Sequence, residues 1–171
     1  MRSDINFNEL LIIGQKKEED AQNLLINIFG VAITETRNDY KYDFKTDDNT
    51  TYECKFDRLT PKTGKFFIEF KTIYEKKNNK QKFSGISTTE ADKYILINTN
   101  DNSIIFYIMD TQKLKMLIDT NNFSVACCRN DDTNILSVGH LVPSDEIIKI
   151  SKIYIKTLDK YFCIENEYFK N

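Results

Sequence analysis

Two short stretches, Tyr52-Glu53-Cys54-Lys55-Phe56 and Ile68-Glu69-Phe70-Lys71, set the expected fold of this chain. Each has the two-residue period of a β-strand, in which residues i and i+2 point to the same face of a sheet. Each strand therefore places a glutamate beside a lysine on one face and turns Cys54 or Phe70 to the other face. Two acid–lysine pairs on neighbouring strands indicate a charged site on the surface of a sheet.

Strand-like segments around these stretches predict a sheet. They cover residues 31–36, 39–45, 50–57 and 65–72, with turn signals at Asp47-Asp48-Asn49 and Thr60-Pro61-Lys62-Thr63-Gly64. Because the links are short, we expect an antiparallel meander in which the two acid–lysine strands are hairpin neighbours.

Helices are predicted on both sides of this meander. Residues 15–29 carry apolar side chains at helical spacing before Gly30, and 10–13 form either a further helical turn or a strand. After a polar, lysine-rich loop over 73–86, a capping box at Ser87-Thr88-Thr89-Glu90 predicts a short helix that ends near Asp92.

The remaining part of the chain, from residue 93 onward, alternates strands and helices. We expect a strand pair over 93–99 and 103–109, a helix over 111–119, and strands over 123–129 and 134–142. A final amphipathic helix is predicted from Pro143, with isoleucines as far as Ile155. The expected fold is α/β, a central mixed β-sheet flanked by helices, in a single domain over residues 1–171.

Composition places the chain among folded globular proteins. It has 171 residues, of which 40% are hydrophobic and 29% charged, and no apolar run approaches the roughly 20 residues of a membrane span. The N-terminal segment lacks the pattern of a secretory signal, so we expect an intracellular protein, in cytoplasm or nucleus, with no membrane partner.

Cysteine and histidine counts exclude the usual zinc sites. The four cysteines, Cys54, Cys127, Cys128 and Cys163, form no CxxC motif, and His140 is the single histidine. Buried, reduced thiols are expected instead. The net charge of −2 does not by itself indicate a nucleic-acid binder, although local patches set the contact potential.

The order of elements resembles the PD-(D/E)xK nuclease superfamily, which has a restriction-endonuclease-like core. A helix comes first, then a meander carrying Asp43 followed by Glu53 and Lys55, then a mixed region of strands and helices. Tyr42 stands where the family usually has a proline. The resemblance implies that Asp43, Glu53 and Lys55 are catalytic.

Two further segments extend the resemblance over residues 15–100. Holliday-junction-resolvase-like members carry a glutamate on the first helix, and Glu18 is the matching residue; Glu19 should point away, while Asp20 lies on the edge of the apolar stripe. Residues 84–94 are similar to a segment of phage and viral members, in which a glycine-containing loop precedes a short Ala-Asp-x-Tyr element.

The resemblance implies a Mg²⁺ cofactor, with Mn²⁺ as a substitute, held by Asp43, Glu53 and the backbone carbonyl of Cys54. Mg²⁺ keeps several waters and takes one or two protein carboxylates, and it can activate a bound water for phosphodiester hydrolysis. Lys55 would orient that water or stabilise the developing charge.

The second acid–lysine pair leaves several interpretations open. Glu69 and Lys71 either form cross-strand ion pairs with Lys55 and Glu53, or support the site, Glu69 at the metal and Lys71 at the scissile phosphate. We treat both, together with Glu18, as additional candidate catalytic residues.

The expected function is therefore a Mg²⁺-dependent DNA endonuclease. Branched DNA is included, RNA stays open, and an endonuclease is favoured over an exonuclease because nothing suggests a motor or clamp partner. The alternatives are a catalytically inactive module of the same fold that binds nucleic acid or a protein, and a small enzyme of unrelated chemistry that uses the Glu/Lys pairs. The last helix is expected to belong to the core, with a homodimer interface as the alternative. Candidate nucleic-acid contacts are Lys62, Lys65, Lys76, Lys77, Lys80, Lys82, Ser87 and Thr88.

Overall fold

The computed structural model describes residues 7–37, 41–100, 102–130, 133–158 and 160–164. Its helices are α1 (Phe7–Phe29), α2 (Thr60–Thr63), α3 (Thr111–Thr120) and α4 (Ser144–Ile150). Its strands are β1 (Ile33–Thr36), β2 (Phe44–Thr46), β3 (Thr51–Phe56), β4 (Lys65–Tyr74), β5 (Lys80–Phe83), β6 (Lys93–Asn100), β7 (Ser103–Asp110), β8 (Val125–Asn130), β9 (Ile135–Pro143), β10 (Lys152–Thr157) and β11 (Lys160–Ile164). Short 3₁₀ turns lie at Glu75–Lys77 and Gly85–Ser87.

Seven strands form a central mixed sheet in the order β1-β2-β3-β6-β7-β10-β11. Strands β3 and β6 are parallel, and the other neighbours are antiparallel. The run Tyr94 to Asn98 in β6 is buried on both faces, which explains its unbroken apolar character up to Ile97. The predicted α/β class, with a mixed central sheet and flanking helices, is confirmed.

A second sheet, which the sequence pattern did not predict, has the order β5-β4-β9-β8 and is antiparallel. One face of the central sheet packs on α1, as Leu24, Ile95 and Ile97 share one apolar cluster. The opposite face packs on the second sheet with α3 and α4, in a cluster that includes Phe66 and Leu96. The central sheet is therefore covered on both faces.

The two acid–lysine strands are not hairpin neighbours, and that prediction is wrong. Strand β3 pairs with β2 on one edge and with β6 on the other, so no edge is left for β4. The Asp57 carboxylate accepts hydrogen bonds from the backbone N–H groups of Leu59, Thr60 and Phe67. This compact turn directs the chain into the second sheet, where β4 pairs with β5 and β9.

The strand predicted over 39–45 is shorter and later than expected. Strand β2 comprises only Phe44–Thr46, and Asp43 directly precedes it; residues 39–40 of the prediction lie outside the described residues. The antiparallel order of β1, β2 and β3 agrees with the predicted meander. Asp43 is thus held at the end of a strand and not within one.

Residues 73–86 form a hairpin where a polar loop was expected. Strand β4 continues to Tyr74, and β5 returns beside it after Asn78 and Asn79, whose φ angles are 52° and 56°. Asparagine tolerates this left-handed backbone well, so two consecutive asparagines suit a tight turn between strands.

The helix predicted from the capping box at Ser87 is also wrong. The Glu90 backbone N–H and the Thr89 hydroxyl both donate to the Lys41 carbonyl, at 2.8 and 3.0 Å. Because these groups serve a tertiary contact, they do not cap a helix, and the only regular turn there is the preceding 3₁₀ turn.

The final helix is shorter than predicted, because α4 ends at Ile150 and β10 begins two residues later. Ile153 and Ile155 therefore belong to a strand of the central sheet, and β11 was not predicted. Residues 10–13, which the sequence left open, are helical within α1. The predicted elements that became β6, β7, α3, β8 and β9 are confirmed.

Burial corrects the expectation for the thiols. Cys54 is buried, but Cys127, Cys128 and Cys163 are exposed. None of the described helices has both the length and the apolar character needed to cross a membrane.

Candidate active site

Strand β3 carries the first acid–lysine pair on one face, as predicted. Tyr52 and Cys54 point into the apolar cluster beneath α1, so Glu53 and Lys55 point to the opposite face. Lys55 Nζ lies 2.8 Å from Glu53 Oε1, with 45% of the lysine side chain exposed and 7% of the glutamate side chain. The pair is therefore a nearly buried carboxylate whose cationic partner reaches solvent.

Asp43 joins this pair because pairing between β2 and β3 stops at Phe44. The Asp43 backbone N–H donates to the Tyr52 carbonyl at 2.9 Å, and its carboxylate Oδ2 accepts from the Cys54 backbone N–H at 2.7 Å. One oxygen of the Asp43 carboxylate is thus fixed against the backbone of β3, at the residue between Glu53 and Lys55.

Glu18 reaches the same region from α1, as the resemblance implied. Its partial burial and the charges of Asp43 and Glu53 raise its pKa from 4.5 to about 7, while Lys55 opposes the shift. Glu19 is exposed and points away from the core, as expected. Glu18 is therefore electrostatically coupled to Asp43, Glu53 and Lys55, and its role in catalysis stays a prediction.

Asp20 is a carboxylate of a different kind on the same helix. It is 9% exposed and accepts hydrogen bonds from Lys17 Nζ at 3.0 Å and from Lys156 Nζ at 2.8 Å. Burial favours its neutral form, but the two lysines outweigh burial and lower its pKa. Asp20 is thus a structural residue whose carboxylate is paired with two lysines, and its contact with Lys156 connects α1 to β10.

The site carboxylates share an unfavourable electrostatic environment. Burial raises the pKa of Asp43 and of Glu53, and Lys55 opposes both shifts. The charge of Asp43 raises the pKa of Glu53 further. Burial disfavours the Lys55 ammonium, but Glu53, Tyr94 and Asp43 outweigh this and raise its pKa. One lysine therefore faces three acids.

Thr89 and Tyr94 also belong to the site, although neither was named as a site residue from the sequence. Thr89 Oγ1 lies 3.4 Å from Glu53 Oε2, and the Thr89 carbonyl accepts from Lys115 Nζ at 3.1 Å. Tyr94 is opposite Glu53 in the parallel β3–β6 register and is 1% exposed. Both lie within residues 84–94, so the resemblance of that segment was the available signal.

The second acid–lysine pair lies in the other sheet. A bulge at Phe70 interrupts the register of β4 with β9, so that Glu69 is opposite Gly139 and Lys71 opposite Val138. Within the described ranges, Glu69 and Lys71 form no ion pair with each other or with the β3 pair. The interpretation as cross-strand ion pairs is therefore wrong.

Glu69 nevertheless lies at the margin of the site. The 3₁₀ turn Gly85–Ser87 packs directly on it. Burial raises the pKa of Tyr94, Lys55 opposes the shift, and the charges of Glu53, Asp43 and, least, Glu69 add to it. A supporting role for Glu69 stays a prediction, as does a phosphate contact for Lys71.

The candidate nucleic-acid contacts lie on several elements. Lys62 is on α2, Lys65 begins β4, Lys76 and Lys77 are in a 3₁₀ turn, Lys80 and Lys82 are on β5, and Ser87 and Thr88 follow Gly85. The lysines and Ser87 are exposed, and Thr88 is half-buried. Lys76 to Lys82 are thus grouped on one hairpin, apart from Lys62 and Lys65.

The donor set suits a hard cation bound mainly by water and a few oxygens. In the described part of the chain, no three His, Cys, Asp or Glu side chains form a metal centre by themselves. Mg²⁺ needs only one or two carboxylates, however, and Asp43, Glu53 and the Cys54 carbonyl provide oxygen ligands only. The excess of acids over lysine also favours a cation, so the residues present fit Mg²⁺.

Comparison with protein-family models, with curated proteins and with solved structures finds no match to this chain.

Proposed function

We propose that the chain is a metal-dependent DNA endonuclease of the PD-(D/E)xK type. The observation that carries the proposal is the convergence of Glu18, Asp43, Glu53 and Lys55 from three separate segments of the chain. Only the acid–lysine pair on β3 has these neighbours, and these are the residues that the resemblance implied. The position of α1 and the β1–β3 meander before the parallel strand β6 adds support.

Asp43, Glu53 and the Cys54 carbonyl would hold Mg²⁺ or Mn²⁺. The cation would supply an activated water and would polarise a phosphoryl oxygen. Asp43 is oriented by the Cys54 N–H, and Glu53 is oriented by Lys55 and, more weakly, by Thr89. These contacts fix the carboxylates before substrate arrives, which lowers the cost of assembling the site.

Lys55 would bind the substrate phosphate and stabilise charge that develops on it. Its side chain is 45% exposed, and its ammonium is held by Glu53 Oε1 at 2.8 Å. Glu18 would add a third carboxyl group to those of Asp43 and Glu53, on the side of α1, and would hold a water or a proton close to Asp43. Each of these roles needs a charged group at a fixed position and no large movement.

Cleavage assays test the proposal. Plasmid and branched DNA, and RNA in parallel, would be incubated with the purified protein and Mg²⁺, Mn²⁺ or EDTA. We expect cleavage with either metal and none in EDTA, and we expect Asp43→Ala and Lys55→Ala to abolish it. Asp47→Ala and Lys152→Ala, which change exposed residues away from the site, serve as matched controls that keep activity.

Inactivity of the wild-type chain on every DNA and RNA substrate would contradict the proposal. If binding were intact in the same preparation, the result would favour a non-catalytic module of this fold.

A further inference from the structure

The β4–β5 hairpin concentrates positive charge in a chain whose net charge is −2. Residues 71–83 contain five lysines and a single acid, Glu75, whose Oε2 lies 2.8 Å from the Arg129 guanidinium. The four lysines between 76 and 82 are exposed. A local surface of this kind attracts polyanions even when the whole protein is slightly acidic.

An exposed aromatic ring lies at the base of this hairpin. Phe83 is 68% exposed, more than Phe162 at 53% or Phe29 at 46%. In the β4–β5 register Phe83 is directly opposite Lys71, which puts the two side chains on one face of the hairpin; the Lys71 ammonium lies 5.9 Å from the centre of the Phe70 ring. Single-stranded nucleic acids are bound by this combination, in which bases stack on aromatic rings and lysines contact phosphates.

The hairpin base is connected rigidly to the candidate active site. The Ser84 backbone N–H donates to the Phe70 carbonyl at 3.1 Å, and the Thr72 and Ser84 hydroxyls are 2.8 Å apart. Gly85 has a φ of +52°, and a Cβ there would lie 2.3 Å from the Glu69 carbonyl oxygen, so only glycine allows this close packing. The chain then reaches Thr89 beside Glu53.

The length of this connection limits how far Phe83 is from the site. Phe83 and Thr89 are six positions apart in the chain, and six extended residues span at most about 20 Å. Successive bases of a duplex rise 3.4 Å along each strand, so this is about six base pairs at most. A substrate bound at Glu53 and Lys55 can therefore extend to Phe83.

We infer that Phe83, with Lys71 beside it, stacks on an unpaired base of the substrate. This inference rests on the proposed nuclease function and narrows its substrate class to DNA with a single-stranded or branched segment next to the cleavage position. In a continuous duplex the bases stack on each other, and none presents a face to the ring. An acidic protein would form ion pairs with the hairpin lysines but would offer the exposed Phe83 ring no planar group to stack on.

Binding without catalysis tests the inference. Fluorescence anisotropy in EDTA would compare a forked duplex with a fully paired duplex of the same number of phosphates. We expect the wild-type chain to prefer the fork, and we expect Phe83→Ala to weaken fork binding by about 5- to 150-fold and to remove the preference. Phe83→Trp should retain the preference for the fork. Lys71→Ala should weaken the binding of both DNAs and reduce the salt dependence of binding by about one ion.

Phe162→Ala is the matched control, since it removes an exposed phenylalanine from β11 at the far edge of the central sheet. It should bind both DNAs like the wild-type chain. A 2-aminopurine placed at the first unpaired base reports stacking directly. Its fluorescence should be quenched by the wild-type chain and by Phe83→Trp, and not by Phe83→Ala.

Equal fork binding by wild-type, Phe83→Ala and Phe162→Ala would overturn the inference, and so would tight binding of polyglutamate with no binding of either DNA. The proposed nuclease function is tested separately, because cleavage by Phe83→Ala and wild-type at equal rates on every substrate would contradict the stacking role alone. Fork preference in a chain that never cleaves would contradict the nuclease function alone.

Discussion

Strands β3 and β4 share the pattern Glu-x-Lys, but the fold places them in different surroundings. In β3 the two-residue alternation is regular, Lys55 contacts Glu53 at 2.8 Å, and Asp43 is bound to the intervening backbone. In β4 a bulge falls between the glutamate and the lysine, and the neighbouring strands belong to a second sheet. One pattern thus gives a nearly buried glutamate paired with an exposed lysine, and the other gives a half-buried glutamate and lysine that form no ion pair with each other.

The difference shows that neighbours, not spacing, make the site. The pKa of Glu53 is raised by burial and by the charge of Asp43, the residue before β2, while Lys55 opposes the shift. Lys71 acquires its neighbour from β5, where Phe83 lies opposite. Three experiments test this contrast.

The largest effect is expected for the glutamates themselves. Glu53→Gln removes a charged ligand and the partner of Lys55, so kcat for DNA cleavage should fall by about 10³-fold or more, as for the loss of a preorganised electrostatic group. Glu69→Gln should lower kcat by less than about tenfold. Single-turnover cleavage with Mg²⁺ measures both; a larger loss for Glu69→Gln would assign the primary site to β4.

A smaller effect is expected at Gly85, in the turn that packs against Glu69 of β4 and leads to Thr89 beside Glu53 of β3. Gly85→Ala forces an alanine into a φ of +52° and pushes a methyl group against the Glu69 carbonyl, so unfolding free energy should fall by about 2–3 kcal/mol. Because the turn also positions Thr89, cleavage should weaken as well. Urea unfolding and cleavage rates measure the two consequences.

Gly14→Ala is the control for that substitution. Gly14 lies within α1, and a methyl group added there would meet no other atom within 4 Å, so alanine should stabilise the chain by about 0.5–1 kcal/mol. Unchanged stability and cleavage in Gly85→Ala would show that the two sheets are not coupled through this turn.

The smallest effect concerns pH. Since the folded-state pKa of Glu18 is about 7 and its ordinary value is 4.5, folding favours the neutral carboxyl, and this contribution is lost as pH rises from 4.5 to 7. Without divalent cations, Glu18→Gln should therefore be more stable than wild-type at pH 8, by about 1–2 kcal/mol, and nearly equal to it at pH 4.5. Chemical unfolding at several pH values measures this.

Asp20→Asn, on the same helix, should change stability with pH in the opposite direction to Glu18→Gln. The folded-state pKa of Asp20 is lowered, so its contribution is present above pH 3.8 and is lost as pH falls below that value. The variant should be less stable than wild-type at neutral pH. Parallel pH profiles for the two variants would contradict the assignment of Glu18 to the crowded site.

Local pattern predicted much of the fold but not its long-range pairing. The periodicity of α1, β3, β6 and α3 was strong enough to locate each element. The capping box at Ser87 failed because Thr89 and Glu90 bind Lys41, 48 and 49 residues away in the chain. The isoleucines after Ser151 failed as a helix because β7 was available as a partner strand.

The candidate site was predictable to the same degree. Glu18, Asp43, Glu53 and Lys55 were found from spacing and resemblance, since each has a chemical identity visible in the sequence. Thr89 and Tyr94 were missed as site residues because a threonine and a tyrosine acquire their meaning only from the carboxylate they face.

The order of amino acids specifies which residues carry charge and which segments alternate, and therefore that two strands each present an acid beside a lysine. It does not specify that β3 pairs with β6 in the central sheet while β4 enters a second sheet, which becomes visible only in the folded chain. The physical reason is that a strand has two edges and two faces, and local pattern specifies only the faces. Which strand pairs at each edge depends on segments that are distant in the chain. At β3, the pairing with β2 and β6 places Glu53 and Lys55 beside Asp43 and Tyr94.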